Sequence, residues 1–141
     1  MLKKRYADFD KLITDIDELK LTNSEEVLIY HNDKFYDDVF VYLDGNKENF
    51  EKLKPYIAFL AENLWKLDMI AQKYDDIYNN SNLAQSYEAA YIMLKNPDEI
   101  SVGYFGMREN TEFDAVFKCE EDKFILKSFG MRKNIPADWD K

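Results

Sequence analysis

Few residues of this chain are of the types that do chemistry, and their spacing limits the chemistry open to them. His31 is the only histidine, so any Ser-His-Asp or Cys-His relay would have to pass through it. It stands in the polar run His31-Asn32-Asp33-Lys34, which reads as a turn exposed to water. A zinc site built on several histidines is excluded by the same count. Cys119 is the only cysteine. It falls on the apolar alternation of a strand with no base beside it, so it reads as a small hydrophobe in the core rather than as a nucleophile. One cysteine cannot form an intrachain disulfide, and a reducing, cytoplasmic setting is the expectation.

Carboxylates are plentiful, but their spacing builds no site. Asp15-Ile16-Asp17 and Asp44-Gly45-Asn46-Lys47-Glu48 echo the start of a calcium loop, yet neither has glycine at the sixth position and neither completes the ligand pattern. Glu120-Glu121-Asp122 reads as a solvated turn. Asp37, Glu112 and Asp114 lie on expected strands and could meet on one sheet face as a hydrolytic pair, although carboxylates on an open sheet face are usually solvated. Gly103-Tyr104-Phe105-Gly106 is strand-like and lacks the strand-to-helix setting of a phosphate loop. No catalytic, cofactor-binding or metal-ligating residue is assigned, and no cofactor is implied.

The elements that position these residues are clearer. The chain has 141 residues, 46% hydrophobic and 16% aromatic. That is enough for one domain over 1–141 with a ring-rich core. Tyr6, Phe9, Leu12, Ile13, Ile16 and Leu19 recur at helical spacing, predicting an N-terminal helix over 6–20, so that 1–22 forms either a docked helix or an arm. Val27 to Tyr30 and Phe35 to Leu43 predict an antiparallel hairpin. The second strand carries apolar residues on both faces and so belongs inside a sheet.

Phe50, Leu53, Ile57, Leu60, Leu64, Leu67, Ala71 and Tyr74 step by three and four. Phe59, Trp65, Met69 and Ile70 widen that stripe beyond a coiled-coil seam, which argues for packing on a sheet. Pro55 restricts the main helix to about 54–77, after a short turn. Leu83, Tyr87, Ala90, Tyr91 and Leu94 predict a second helix over 83–95, stopped by Asn96-Pro97.

Residues 102–129 then alternate as a three-stranded meander. If Glu109-Asn110 and Glu121-Asp122 are two-residue loops, Val102 faces Phe117, Tyr104 faces Ala115, Phe117 faces Leu126 and Cys119 faces Phe124. The large apolar residues Val102, Tyr104, Phe117, Phe124 and Leu126 then fall on one face of all three strands. Ile135-Pro136-Ala137-Asp138-Trp139 reads as a docked extension. The expected fold is therefore α+β: an antiparallel sheet made of the N-terminal hairpin and the C-terminal meander, covered on one face by two central helices, with an extra N-terminal helix.

The other face of the meander mixes charges and rings: Glu112, Asp114, Val116, Lys118, Lys127 and Phe129. Asp38, Phe40 and Tyr42 join it if the hairpin belongs to the same sheet. Such a mixture suits a protein interface, and Asp38, Phe40, Tyr42, Glu112, Asp114 and Lys127 are its candidate contact residues. A net charge of −9 opposes nucleic acid and anionic membrane surfaces and favours a basic protein partner. No apolar run reaches the length of a membrane span, and Met1-Leu2-Lys3-Lys4-Arg5 is not followed by the apolar stretch of a secretory signal.

Leu64-Trp65-Lys66-Leu67-Asp68, Glu112-Phe113-Asp114-Ala115-Val116-Phe117, Ser128-Phe129-Gly130 and Ile135-Pro136-Ala137-Asp138-Trp139 give residues 25–140 a layout that resembles small bacterial domains of unknown function and immunity proteins of polymorphic toxin systems. The resemblance carries no catalytic residues. It implies a non-catalytic binder that occludes a toxin or effector. Two other readings stand beside it: a small-ligand or hydrolytic domain with a pocket between helices and sheet near Tyr87, Tyr91 or Tyr104, and a structural homodimer. The chain is expected to be a monomer or a weak homodimer.

Overall fold

A computed structural model describes residues 11–12, 16–31, 39–43, 45, 47–79, 89–96, 99–105 and 112–140. Its centre is a seven-stranded sheet whose strands lie side by side in chain order. They are β1 (Lys11–Leu12), β2 (Glu26–His31), β3 (Val39–Tyr42), β4 (Ala89–Asn96), β5 (Glu99–Phe105), β6 (Glu112–Glu120) and β7 (Lys123–Phe129). All neighbours are antiparallel except β3 and β4, which run parallel. A parallel pair needs a long crossover, and here the crossover carries the helices α1 (Phe50–Glu62) and α2 (Leu64–Tyr74). The class is α+β, and the hairpin and the meander share one sheet.

The 3-4 stripe forms one buried ridge across both helices, from Leu53, Ile57 and Leu60 to Leu64, Leu67, Ala71 and Tyr74. The break between the helices is Asn63. Its backbone N–H donates to the Leu60 carbonyl at 3.1 Å rather than one residue further back. The Phe59 carbonyl this releases accepts from Asn63 Nδ2 at 2.8 Å instead. The side chain therefore satisfies the group its own backbone deserted, and the stripe passes through the break in phase. Pro55 lies inside α1 with its ring exposed. The helix starts at Phe50, behind a 3-10 turn at Lys47–Asn49, rather than near 54. Beyond α2 the chain widens into a π turn, Asp75–Asn79.

Two expected helices are corrected. Of the stretch 6–20, the structure describes Lys11–Leu12 as a strand paired with Tyr30 and His31, and Ile16–Glu18 as a 3-10 turn. Leu19 follows, buried in the core. Thr22 then organises a tight turn, its Oγ1 accepting from the backbone N–H groups of Ser24 and Glu26 at 3.3 and 3.1 Å. The second helix expected over 83–95 is instead β4 from Ala89 onward; residues 83–88 lie outside the described residues. Ala89 to Leu94 is an unbroken apolar run, whose period cannot distinguish a helix from an interior strand. Hydrogen bonding to β3 on one side and β5 on the other makes it a strand.

In the meander, β6 and β7 keep the expected register at Phe117↔Leu126 and Cys119↔Phe124. Glu121 and Asp122, at φ 50° and 62°, form the two-residue loop. Between β5 and β6 the register is two residues away from expectation: Ile100 opposes Phe117 and Val102 opposes Ala115. A shift of two preserves every side chain's face, so the same residues remain inside. A β-bulge between Val116 and Phe117 leaves Lys127 as the extra residue of β7. Past that bulge the alternation inverts, and Phe129, expected on the polar face, is buried in the core opposite Ala115.

Candidate protein-binding face

The core residues of the strands share one side: Val41, Ile92, Leu94, Ile100, Val102, Tyr104, Ala115, Phe117, Leu126 and Phe129 are all buried. The helices contact this side. Phe59 stacks on Phe124 at 5.7 Å between centroids, and Tyr74 meets Phe129 at 5.4 Å. The Tyr104 hydroxyl donates to Asp68 Oδ1 at 2.8 Å. Tyr104 and Asp68 are both sealed from solvent, so this carboxyl sits in the packed core instead of lining an accessible pocket.

Side chains on the alternate positions point the other way. The ladder aligns them in rows that cross the sheet. Glu26 pairs Tyr42, Tyr42 pairs Met93, Met93 pairs Ser101, Ser101 pairs Val116, and Val116 pairs Ser128. This single row crosses all strands from β2 to β7, about 24 Å at the usual ~4.8 Å strand spacing. A parallel row runs Glu99, Lys118, Ile125. Phe40, Tyr42, Met93, Val116 and Ile125 are each half-buried. Ser101 and Gly103, the small residues of β5 on this side, are buried between larger neighbours. Ser101 and Gly103 are thus the smallest residues of β5 on this side of the sheet.

Charge borders the row. Glu26, Glu99, Asp114 and Glu120 bring carboxylates, against the ammonium groups of Lys118 and Lys127. Lys118 Nζ is 3.7 Å from Glu120 Oε1, with both side chains well exposed, so that pair is screened and weak.

Of the residues expected at an interface, Phe40 and Tyr42 lie on this side of β3. Asp114 is exposed opposite Gly103 on β5. Lys127 is half-exposed at the bulge. The structure gives Glu112 only its backbone pairing with Phe105, and Asp37 and Asp38 lie outside the described residues. Met93, Ser101 and Ile125 were missed. Met93 was hidden by the helical reading of its segment, and Ser101 by its modest chemistry. His31 is the last residue of β2, paired with Lys11, rather than part of a turn. Cys119 is half-buried against the core.

Among the described residues, no three His, Cys, Asp or Glu side chains converge as a metal site would require. No helix among them is long and apolar enough to cross a membrane. Compared with known proteins, the chain matches no family model, no curated protein and no solved structure.

Proposed function

We propose that this domain is a non-catalytic binding protein that lays the outer face of its sheet on a basic surface of another protein, as an immunity protein would in masking a toxin or effector. The observation that carries this reading is the row Tyr42, Met93, Ser101, Val116: three large half-buried side chains in register across the sheet with the small Ser101 among them, and carboxylates at the borders. Interfaces combine a desolvated ring-rich centre with a polar rim. Charge of opposite sign on the partner accelerates encounter, while the rings set the lifetime of the complex. The net charge of −9 supports a basic partner.

The test is capture from native lysate with the intact chain and with a Tyr42→Ala/Val116→Asp variant, each at low and at high salt. The reading requires one basic protein retained by the intact chain, weakened by salt and lost with the variant. Equal retention by the variant, or no retained protein, overturns it.

A further inference from the structure

We propose that a cleft between the C-terminal segment and the end of α2 is a binding site for a small planar aromatic anion: one ring bearing a phosphate or carboxylate. This site is separate from the sheet face and does not depend on the protein-binding reading.

The cleft has a volume of about 280 Å³. Its wall is a cluster of three rings. Tyr74 lies 5.0 Å from Tyr78 and 5.3 Å from Trp139, the latter edge-on at 75°, and Tyr78 lies 6.2 Å from Trp139. The cluster is fixed in place. Tyr74 is buried, and the Tyr78 hydroxyl donates to the Trp139 carbonyl at 2.6 Å. The segment carrying Trp139 is tied down by the Ile135 N–H, which donates to the Lys127 carbonyl at 3.0 Å. Tyr78 is 46% exposed and lines the cleft, so ring surface is open to a ligand there. A pre-formed wall costs a ligand little ordering.

The chemistry of the ligand follows from the rim. Arg132 and Lys133 line the cleft and, among the described residues, no carboxylate side chain does, in a chain where acids outnumber bases by 28 to 19. Among the described residues, neither has a carboxylate within ion-pair distance. The neighbouring Lys73 shows the contrast: its Nζ is neutralised by Asp140 at 3.2 Å. The Arg132 guanidinium lies 5.9 Å from the Tyr78 ring centroid, which orients a planar fork suited to two oxygens of one anion. The volume lies just below the range of small-molecule sites, roughly 300–1,000 Å³. It suits one ring with its acid group and excludes a dinucleotide.

The experiment uses the full chain and the two indole N–H resonances of Trp139 and Trp65. The latter lies on α2 about 14 Å along the helix axis from Tyr74 of the cleft wall, at 1.5 Å per residue, and serves as internal reference. Phenyl phosphate, benzyl alcohol and inorganic phosphate are titrated separately. The proposal expects a saturable shift of the Trp139 resonance with phenyl phosphate, no shift at Trp65, and affinities at least about tenfold weaker for the two half-probes. Arg132→Gln should weaken phenyl phosphate about tenfold, the effect of losing one charge-assisted contact. Lys52→Gln, the same charge change at an exposed site on α1, should leave it unaltered. The proposal is overturned by an unsaturable Trp139 shift, by benzyl alcohol binding as tightly as phenyl phosphate, or by equal losses in the two glutamine variants.

Discussion

Tyr104 on β5 and Asp68 on α2 meet inside the core, hydroxyl to carboxyl at 2.8 Å, with no exposed surface on either residue. A buried carboxyl is costly unless it is hydrogen-bonded, so this contact fixes the axial position of α2 on the sheet. Leu-to-Leu packing alone would tolerate sliding; a polar pair of this kind does not. Tyr104→Phe should therefore destabilise the protein by about 1–3 kcal/mol, since it removes a donor and leaves the buried acceptor under-satisfied. Urea unfolding gives the value. A loss below about 0.5 kcal/mol would mean that other partners of Asp68 suffice, and would remove this pair as the anchor.

The loop between β6 and β7 places two L-residues in the left-handed region, Glu121 at φ 50° and Asp122 at φ 62°. Two-residue hairpin loops with both φ positive favour Asn-Gly, because glycine lacks the Cβ that clashes there. Glu121→Asn with Asp122→Gly should raise stability by about 1–2 kcal/mol. An unchanged or lowered melting temperature would show that the carboxylates offset their own backbone strain.

The C-terminal segment closes the edge of the sheet. Phe129 N–H donates to the Arg132 carbonyl at 2.9 Å and Ile135 N–H to the Lys127 carbonyl at 3.0 Å. Backbone groups of β7 that would otherwise be open to another strand are thereby occupied. A chain ending at Gly130 should self-associate as its concentration rises, whereas the full chain should not do so by this edge. Sedimentation over a hundredfold concentration range distinguishes the two. A truncated chain that remains folded and monomeric would show that the bulge at Lys127 protects the edge unaided.

The legible parts of this fold were those governed by side-chain alternation. Val102, Tyr104, Ala115, Phe117 and Leu126 reach the core even though one hairpin register lies two residues away, because alternation fixes the face while loop length fixes the register. The α1–α2 stripe was legible for the same reason, being one period sustained over many turns. Phe129 was not, because one extra residue at Lys127 inverts everything beyond it and no residue type announces a bulge. Ala89 to Leu94 was not, because an unbroken apolar run has no period that separates a helix from a strand. The candidate face was half legible: Phe40, Tyr42 and Asp114 come from strands with clean alternation, and Met93 from one without.

Adjacent residues of β6 give the most direct test of which side of the sheet is inside. Ala115 has no exposed surface, while Val116 is half-buried in the row with Ser101 and Ser128. Ala115→Lys would bury an unpaired charge under the helices and should abolish folding, a loss above about 4 kcal/mol. Val116→Lys places the same charge on the opposite side and should cost less than about 1 kcal/mol, mostly in lost strand propensity. Under the proposed function, the second variant should stay folded and lose its basic partner by like-charge repulsion. Circular dichroism with thermal unfolding reads the first difference, and retention of the partner reads the second. If Val116→Lys unfolds the domain as Ala115→Lys does, the outer face is a second core surface covered by the chain itself, and it cannot serve as the interface.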